Sequence, residues 1–228
     1  MGYPTVFPTG TTIYNPEKCW NGYTVFQAKD LGATIIDMNG NIIRQVQRLH
    51  GFPNKLLPNG ILMGNTGRRD SKYGYQDMKS LVQVNWEGEV TWRFDRYEYI
   101  EDPGEKPQWM ARQHHDYQRE GNPVGYYVPD MDPLVDKGNT LILSHKNLHN
   151  HNITDKLLLD DTIIEVSWEG DIVWEWVCSE HFDEFEFDQQ ALNTLYRNPN
   201  LHTEIEGGVA DWIHINSLSA LGLSLIHI

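Results

Sequence analysis

The densest group of side chains that could carry chemistry lies between Trp109 and Arg119. Arg112, His114, His115 and Arg119 fall within eight residues of a chain that is otherwise acidic. The guanidinium of an arginine is a fork of donors that fits sulfate, phosphate or carboxylate, and a histidine can transfer a proton near neutral pH. This segment predicts a site for an anionic substrate, with Arg112 among the residues that bind it.

The neighbouring histidines of this segment cannot both serve such a site if the segment is a regular strand. Successive side chains of a strand point to opposite faces, so only one of His114 and His115 is expected to enter a given site. The sequence leaves open which of the two it is.

A second group of polar side chains stands in Asp211-Trp212-Ile213-His214-Ile215-Asn216-Ser217. The alternation of apolar and polar residues predicts a strand with His214 and Asn216 on the same face. These two side chains could hold an oxyanion from one side, and Asp211 could orient the histidine ring.

A third histidine group spans residues 145–151, where His149 and His151 would share a strand face. That spacing could suit a metal ion, but no carboxylate stands at a spacing that completes such a site. No metal and no other cofactor is therefore predicted. The acidic stretch at residues 155–161 is expected to be a solvated loop.

Three segments of the chain repeat one pattern, which predicts the fold. Each has an alternating strand rich in β-branched residues, a two-residue turn that ends in Gly40, Gly88 or Gly170, and a second alternating strand. A glycine there supplies the positive φ that a tight hairpin requires. Another turn and apolar strand precede the later two hairpins, at residues 56–63 and 135–143, so each of these hairpins belongs to a four-stranded unit.

Repeated four-stranded units are typical of a β-propeller. The predicted fold class is all-β, a β-propeller of which about three to four blades are present, and a generic antiparallel β domain is the alternative. His50 stands where one unit begins, as His115 and His214 do, so we expect it to point towards the central axis and contribute to substrate binding. A short helix is expected over Asp188–Tyr196.

Composition limits the classes of partner. The chain has 228 residues, 39% of them hydrophobic, and a formal charge of −14, so it can bury a core while its surface repels nucleic acid. It holds no apolar run of about 18 residues or more, so no membrane span is predicted. Cys19 and Cys178 match no zinc or redox spacing and are expected to be buried thiols. Without a visible leader the default location is cytoplasmic, and a periplasmic one stays open if the N-terminus is incomplete.

Three motifs resemble the bacterial aryl-sulfate sulfotransferase (arylsulfotransferase) family. They are Gln113-His114-His115-Asp116, the run Glu-Gly-Asp-Ile-Val-Trp-Glu-Trp that ends at Trp176, and Asp-Trp-Ile-His-Ile-Asn-Ser at Asp211–Ser217. The Trp-Glu-Trp ending occurs in other propellers, whereas the Asp-Trp-x-His-x-Asn-Ser motif is more specific. The resemblance covers essentially Tyr14 to Leu221.

The resemblance implies a six-bladed propeller with its site in the central channel. It also implies that a sulfuryl group moves from an aryl sulfate to a phenol, without a nucleotide donor, through a sulfated histidine. Matched position by position, His214 and Asn216 hold the transferring group, and His115, or else His114, assists proton transfer at the phenol oxygen. The implied partners are an aryl sulfate and a phenol, and a homodimer is left open.

Some parts of the implied machinery are not matched. In the family the nucleophilic histidine and the sulfate-binding arginine come from later blades. We therefore expect a truncated N-terminal fragment that does not turn over, with a partial propeller at residues 1–222 and a non-native tail at residues 223–228.

Two other functions stay open on the residues alone. A propeller without catalytic activity could bind a ligand or a protein, since this fold serves many functions. A metal-dependent hydrolase or lyase could instead use the histidines at residues 145–151.

Overall fold

The computed structural model describes residues 11–28, 31–73, 76–121, 131–202 and 210–220. β-Strands are the main regular structure of the described residues, which confirms the all-β prediction. In chain order the strands are β1 (Thr24–Ala28), β2 (Gly32–Ile36), β3 (Ile42–Val46), β4 (Lys55–Leu57), β5 (Ile61–Arg68), β6 (Met78–Val84), β7 (Val90–Phe94), β8 (Glu98–Ile100), β9 (Gln108–Met110), β10 (Gln113–Arg119), β11 (Thr140–His149), β12 (Leu157–Val166), β13 (Ile172–Val177) and β14 (Ala210–Asp211). The described helices are α1 (Gln189–Leu195), α2 (Pro199–His202) and the 3-10 segments Pro58–Gly60 and Cys178–Phe185. The tail predicted at residues 223–228 lies outside the described residues.

Consecutive strands pair into antiparallel sheets. Strands β1 to β3 form a three-stranded sheet, β4 to β7 form a four-stranded group, and β10 to β13 form a second four-stranded group. One pairing, of Gln113 in β10 with Met78 in β6, joins the two four-stranded groups, and β14 adds to β12 in parallel. The predicted four-stranded units are therefore present. The predicted closure into a propeller is not shown by the described strands.

The three glycine hairpins share one turn geometry. In each, the glycine N–H donates to the carbonyl oxygen three residues earlier, on Asp37, Asn85 or Ser167, and the glycine φ lies between 80° and 93°. The strand register shifts beside each turn. The glycine thus follows a β-turn as the extra residue of a bulge, and the predicted two-residue turn is one residue too short.

The sheets stack in chain order with apolar layers between them. The layer between the β1–β3 and β4–β7 sheets consists of Ala33, Ile35, Val46, Leu49, Leu62, Val82 and Val84. The layer between the two four-stranded groups consists of Leu57, Met63, Leu81, Trp92, Phe94, Ala111, Tyr117, Ile142, Ile164 and Val166. A third cluster, around Leu158, Cys178 and Trp212, packs where β11 leads into β12. Because the β4–β7 group buries both faces, its position next to β10 is fixed.

Features outside the sheets complete the fold. The predicted helix is confirmed as α1, and the Asp188 carboxylate caps it by accepting a hydrogen bond from Ala191 N at 2.8 Å. Cys178 is buried as expected, but Cys19 is exposed, so that expectation is wrong for Cys19. Within the described residues, no helix has the length and apolar character needed to cross a bilayer.

Candidate active site

A bulge in β10 turns the two adjacent histidines towards each other. The pairing of β10 with β11 is interrupted between Gln113 and Tyr117, and His115 has a φ of 50°. The Nδ1 atoms of His114 and His115 are 2.9 Å apart as a result. The expectation that regular alternation separates the pair does not hold here, because alternation requires an unbroken strand.

His214 meets His115 from the far end of the chain. Its ring lies edge-on to the His115 ring, with centroids 4.8 Å apart and planes at 80°. Phe52 packs against another side of His115 at 5.4 Å. Two histidines that the sequence singles out separately therefore share one half-buried spot.

Asp211 holds the ring of His214, as the sequence predicted. The carboxylate Oδ2 lies 2.7 Å from His214 Nδ1. A carboxylate at this nitrogen favours the tautomer with the proton on Nδ1, which leaves the lone pair on Nε2. Burial raises the pKa of Asp211, whereas His214 lowers it in part.

Asn216 lies beside His214 but not on a shared strand face. Residues 212–220 form no strand, and His214 has a φ of 59°, so the predicted alternation is absent. The exposed Asn216 side chain donates from Nδ2 to the His214 carbonyl oxygen at 3.1 Å. Its amide therefore contacts the backbone of His214 and is accessible from solvent.

Among the described residues, His50, His149 and His151 make no ring contact with this pair. His50 is exposed, and its ring contacts no other described ring. His149 and His151 are also exposed, with stacked rings 6.2 Å apart. The structure therefore brings together the rings of His114, His115 and His214, with Asn216 on the backbone of His214. Among the described residues, no ring contact joins His50 to them.

Arg112 lies beneath the cluster in a buried ion network. Its side chain is fully buried, its Nε donates to Asp77 Oδ2 at 2.8 Å, and its Nη1 donates to Glu98 Oε2 at 2.5 Å. Its Nη2 donates to Asn147 Oδ1 at 2.8 Å. Each nitrogen of this guanidinium already has a protein acceptor, so its present contacts order the floor of the site.

Asp77 is the centre of that network. Besides Arg112 it accepts a hydrogen bond from Arg69 Nη1 at 3.0 Å, and its Oδ1 lies 2.6 Å from His145 Nδ1. Arg69 in turn forms a two-pronged pair with Asp102, at 2.7 and 2.9 Å. Burial alone would raise the pKa of Asp77, but Arg112, His145 and Arg69 together outweigh it and hold that pKa well below its usual range.

His145 and Asp161 connect this network to His114. The rings of His145 and His114 stack with centroids 3.6 Å apart and planes at 10°. Asp161 Oδ1 lies 3.1 Å from His114 Nε2 and 3.8 Å from His145 Nε2. Each of the three residues is at most 1% exposed. Their ligand-type atoms lie within 4.8 Å of one another.

The positions predicted from the sequence for His145 and Asp161 are wrong. His145 was expected near an exposed loop and Asp161 in a solvated acidic stretch, yet β11 and β12 bury both. His145 and Asp161 are direct cross-strand partners. A feature of the sequence could have predicted this burial. The apolar run from Leu157 to Ile164 contains acidic residues, which a continuous strand must bury.

Burial makes the central histidines weak bases. It lowers the pKa of His115 to about 4, and the neighbouring His114 and His214 act in the same direction. Burial also lowers the pKa of His145 to about 4, again with a contribution from His114. Both rings are therefore neutral at neutral pH, and each can donate a hydrogen bond from one nitrogen and accept one at the other.

The backbone of the site is strained at three places. Arg112, His115 and His214 have φ values of 50°, 50° and 59°, in the left-handed region that L-residues seldom adopt. Such strain concentrates at functional sites, where the surrounding structure holds it in place. Here it aims the two half-buried histidine rings at each other.

The arrangement suits proton transfer next to an anion. One proton must lie between the Nδ1 atoms of His114 and His115, so the tautomer of His115 decides whether its Nε2 is an acid or a base. Asp211 holds the His214 ring, and Asn216 adds an amide donor. Together these groups can hold an oxyanion and exchange a proton with it.

Comparison with known proteins relates part of the chain to one family. Residues 130–223 match the family model described as Arylsulfotransferase (ASST). The match includes Asp211, His214 and Asn216 but does not reach His115. No curated protein and no solved structure matches the chain. The resemblance noted in the sequence is thus supported over residues 130–223, which are similar to the arylsulfotransferase family.

Proposed function

We propose that this chain contributes His115 and His214 to the active site of an aryl-sulfate sulfotransferase. The reaction moves a sulfuryl group from an aryl sulfate to a phenol, without a nucleotide donor, through a sulfated histidine. The observation that carries the proposal is the contact between His115 and His214, whose rings meet at 4.8 Å although the family motif and the cationic segment are far apart in sequence. The family match over residues 130–223 supports the same activity.

The proposed role of His115 is proton transfer at the phenolic oxygen. When the aryl sulfate is the donor, the S–O bond to the aryl group breaks, an N–S bond forms on a histidine, and the departing phenolate takes a proton. In the second half the acceptor phenol gives up its proton as its oxygen bonds to sulfur and the N–S bond breaks. His115 can take the proton of the acceptor phenol as a neutral ring and give that proton to the next departing phenolate as an imidazolium. Its pKa, lowered to about 4, favours the neutral ring before substrate binds.

The proposed role of His214 and Asn216 is to hold the transferring group. Sulfuryl transfer spreads negative charge over three equatorial oxygens, much as phosphoryl transfer does. Fixed donors aimed at those oxygens stabilise the transition state, and losing one costs about 3–4 kcal/mol. Asp211 fixes the His214 ring through the 2.7 Å contact, which prepares it for that role. We assign the sulfated histidine itself to no residue of this chain.

We further propose that the stacked sheets are blades of a propeller. Three consecutive sheets pack face to face, and each contains the same glycine hairpin. Radial stacking of such units places strand ends and loops of successive sheets around one axis. That arrangement accounts for the meeting of His115 and His214.

The test is an assay of sulfuryl transfer from 4-nitrophenyl sulfate to phenol, made with the protein without substitutions and with its variants. We expect 4-nitrophenol release that depends on phenol, together with acid-labile sulfate trapped on a histidine. His115→Gln and His214→Gln should each lower the rate by roughly 10²–10⁴-fold. The matched control is His149→Gln, which changes an exposed histidine outside the cluster.

Two outcomes would contradict the proposal. Transfer without any labelled histidine would remove the two-step mechanism. Full activity in both histidine variants would remove the site. Tight binding of the aryl sulfate without transfer would instead favour a propeller that only binds its ligand.

A further inference from the structure

We propose that Asp161 is a positioning residue, which acts through His114 to make Nε2 of His115 a proton acceptor. The three side chains form a line. Asp161 Oδ1 lies 3.1 Å from His114 Nε2, and the Nδ1 atoms of His114 and His115 are 2.9 Å apart. The effect of Asp161 on the reaction rate rests on the proposed function, whereas the positions of the protons along the line do not.

The Asp161 carboxylate can only accept hydrogen bonds in its surroundings. Burial alone would raise its pKa, but His114, His145 and the backbone N–H of Ile215 together outweigh it and hold that pKa below its ordinary value. Its Oδ2 accepts a hydrogen bond from Ile215 N at 3.0 Å, which orients the group. An ionised carboxylate has no proton to donate. The proton of the contact with His114 therefore lies on His114 Nε2.

His145 does not compete with His114 for this carboxylate. Its Nδ1 lies 2.6 Å from Oδ1 of the ionised Asp77, so the proton of the neutral His145 ring lies on Nδ1. His145 Nε2, at 3.8 Å from Asp161 Oδ1, then carries a lone pair and donates nothing.

The contact between Asp161 and His114 is buried on both sides. Each residue is 1% exposed. Neither His114 Nε2 nor Asp161 Oδ1 has a straight hydrogen bond to any described group. Leaving a buried polar atom without a partner costs about 1–3 kcal/mol. Their bent 3.1 Å contact is the closest interaction that can satisfy both atoms.

A proton on His114 Nε2 fixes the tautomer of His115. A neutral imidazole has one N–H, so His114 Nδ1 is then an acceptor, and His115 Nδ1 must be the donor across the 2.9 Å contact. Burial lowers the pKa of His115 to about 4, so this ring carries no second proton at neutral pH. Its Nε2 therefore holds a lone pair, which can take the proton of the acceptor phenol.

Asp161 also acts on the charged form of His115. Burial is the largest cause that lowers the pKa of His115, and the negative charge of Asp161 opposes it. The carboxylate therefore stabilises the imidazolium that forms when His115 takes the phenol proton. That proton then leaves with the next departing phenolate, which returns His115 to its neutral tautomer.

The test is histidine-ring ¹⁵N NMR of the full chain at neutral pH, which distinguishes a protonated ring nitrogen from one with a lone pair. In the unaltered chain we expect protons on His114 Nε2 and His115 Nδ1. Asp161→Asn keeps an oxygen for Ile215 N and turns an amide donor towards His114 Nε2. Both tautomers should therefore reverse, and the rate of sulfuryl transfer should fall by roughly 10²–10⁴-fold with little change in the KM for 4-nitrophenyl sulfate.

The matched control is Asp160→Asn, the same change at the preceding residue of β12. Asp160 is fully buried and accepts hydrogen bonds from Ser179 N at 2.9 Å and Trp212 Nε1 at 2.6 Å. This variant should lower stability while both tautomers stay as in the unaltered chain. A reversal in Asp160→Asn as well would show that any disturbance of β12 moves the protons, and would overturn the inference.

The unaltered chain alone can also overturn the inference. A proton on His114 Nδ1, or protons on both nitrogens of that ring, would contradict the predicted line. Unchanged tautomers in Asp161→Asn would do the same, and reversed tautomers with an unchanged rate would remove the role of Asp161 in the reaction. The predicted tautomers in a chain that transfers no sulfuryl group would contradict the proposed function, and with it the effect of Asp161 on rate.

Discussion

At the scale of single residues, the reactivity of His214 depends on its carboxylate partner. Asp211→Asn keeps the shape but replaces a pure acceptor with an amide that can donate to Nδ1 and so reverse the tautomer. We expect the rate of sulfuryl transfer to fall by roughly 10²–10⁴-fold, with little change in KM or in the thermal midpoint. Steady-state kinetics and thermal unfolding of the natural protein and this variant check it.

The control for this change is an exposed pair of the same type. His151 Nδ1 lies 3.4 Å from Asp155 Oδ1, and both side chains are largely exposed. Asp155→Asn should leave the rate unchanged. An equal loss of rate in both variants would show that the effect does not come from the Asp211–His214 contact.

The stability of the site floor depends on Asp77. Asp77→Ala leaves the guanidiniums of Arg69 and Arg112 buried with one fewer carboxylate, and breaking a buried ion network in this way costs about 3–5 kcal/mol. Urea unfolding should show that loss in the free energy of unfolding. Asp95→Ala, which removes a partly exposed partner of Arg93 at 3.4 Å, should cost less than about 1 kcal/mol. Similar losses in both would contradict the central role of Asp77.

Part of the site was predictable from residue types alone. His115, His214 and Asp211 stand in short motifs, and the orientation of His214 by Asp211 is local, over three residues. Asp77, His145 and Asp161 were not predicted, because only the register of β11 against β12 and the position of β6 beside β10 bring them together. Strand register of this kind depends on two segments together and cannot be predicted from either one alone.

At the scale of elements, the hairpin glycines should contribute to the stability of the fold because they adopt a positive φ. Gly170 has a φ of 93°, and a Cβ placed on it would meet no atom within 4 Å. Gly170→Ala should therefore destabilise the fold by about 1–2 kcal/mol through the left-handed conformation alone. Chemical unfolding measures this cost.

Gly22 provides the comparison for that prediction. A Cβ there also meets nothing within 4 Å, and its φ is not in the positive range. Gly22→Ala should change stability by less than about 0.5 kcal/mol. If both alanine variants were neutral, the positive φ would not be a requirement of the β12–β13 turn.

The first hairpin predicts a pH effect. The Asp37 carboxylate accepts hydrogen bonds from the Asn41 side chain at 2.9 Å and from the backbone N–H groups of Asn41 and Asn39. The Asn41 side chain is the largest cause that lowers the pKa of Asp37 below its ordinary value of 3.8. The stability it contributes is present above that ordinary value and is lost as pH falls through the lowered folded value.

An NMR titration of the Asp37 carboxyl group measures this directly. We expect a pKa below 3.8 in the folded chain and a value closer to 3.8 in Asn41→Ala. A pKa at or above the ordinary value in the unaltered chain would show that the turn does not hold the charged form.

The sequence predicted elements better than it predicted their details. The hairpins and α1 were found because a turn glycine and a helix-capping aspartate have local causes. The turn length was one residue short, since a bulge at the glycine does not show in the alternation of the strands. The bulge in β10 likewise hid the approach of His114 to His115, which a regular strand would prevent.

At the scale of the whole molecule, the stacking of sheets is what joins distant motifs. The β10–β13 group packs on the β4–β7 group through a layer that includes Leu81, Phe94, Tyr117 and Ile142. This packing sets β10 beside β6 and places the family motif at Asp211 on the edge of β12. The overall charge of −14 means that an anionic substrate needs local hydrogen-bond donors, which the half-buried histidines can supply.

The central claim is that His115 and His214 form one binding site for an aryl sulfate. Titration of the chain with 4-nitrophenyl sulfate, followed by NMR of the histidine rings, tests it most directly. We predict that the signals of His115 and His214 shift together along a single saturation curve, while those of His149 and His151 do not move. Shifts that saturate at different concentrations, or a ring of the pair that fails to respond, would contradict the claim.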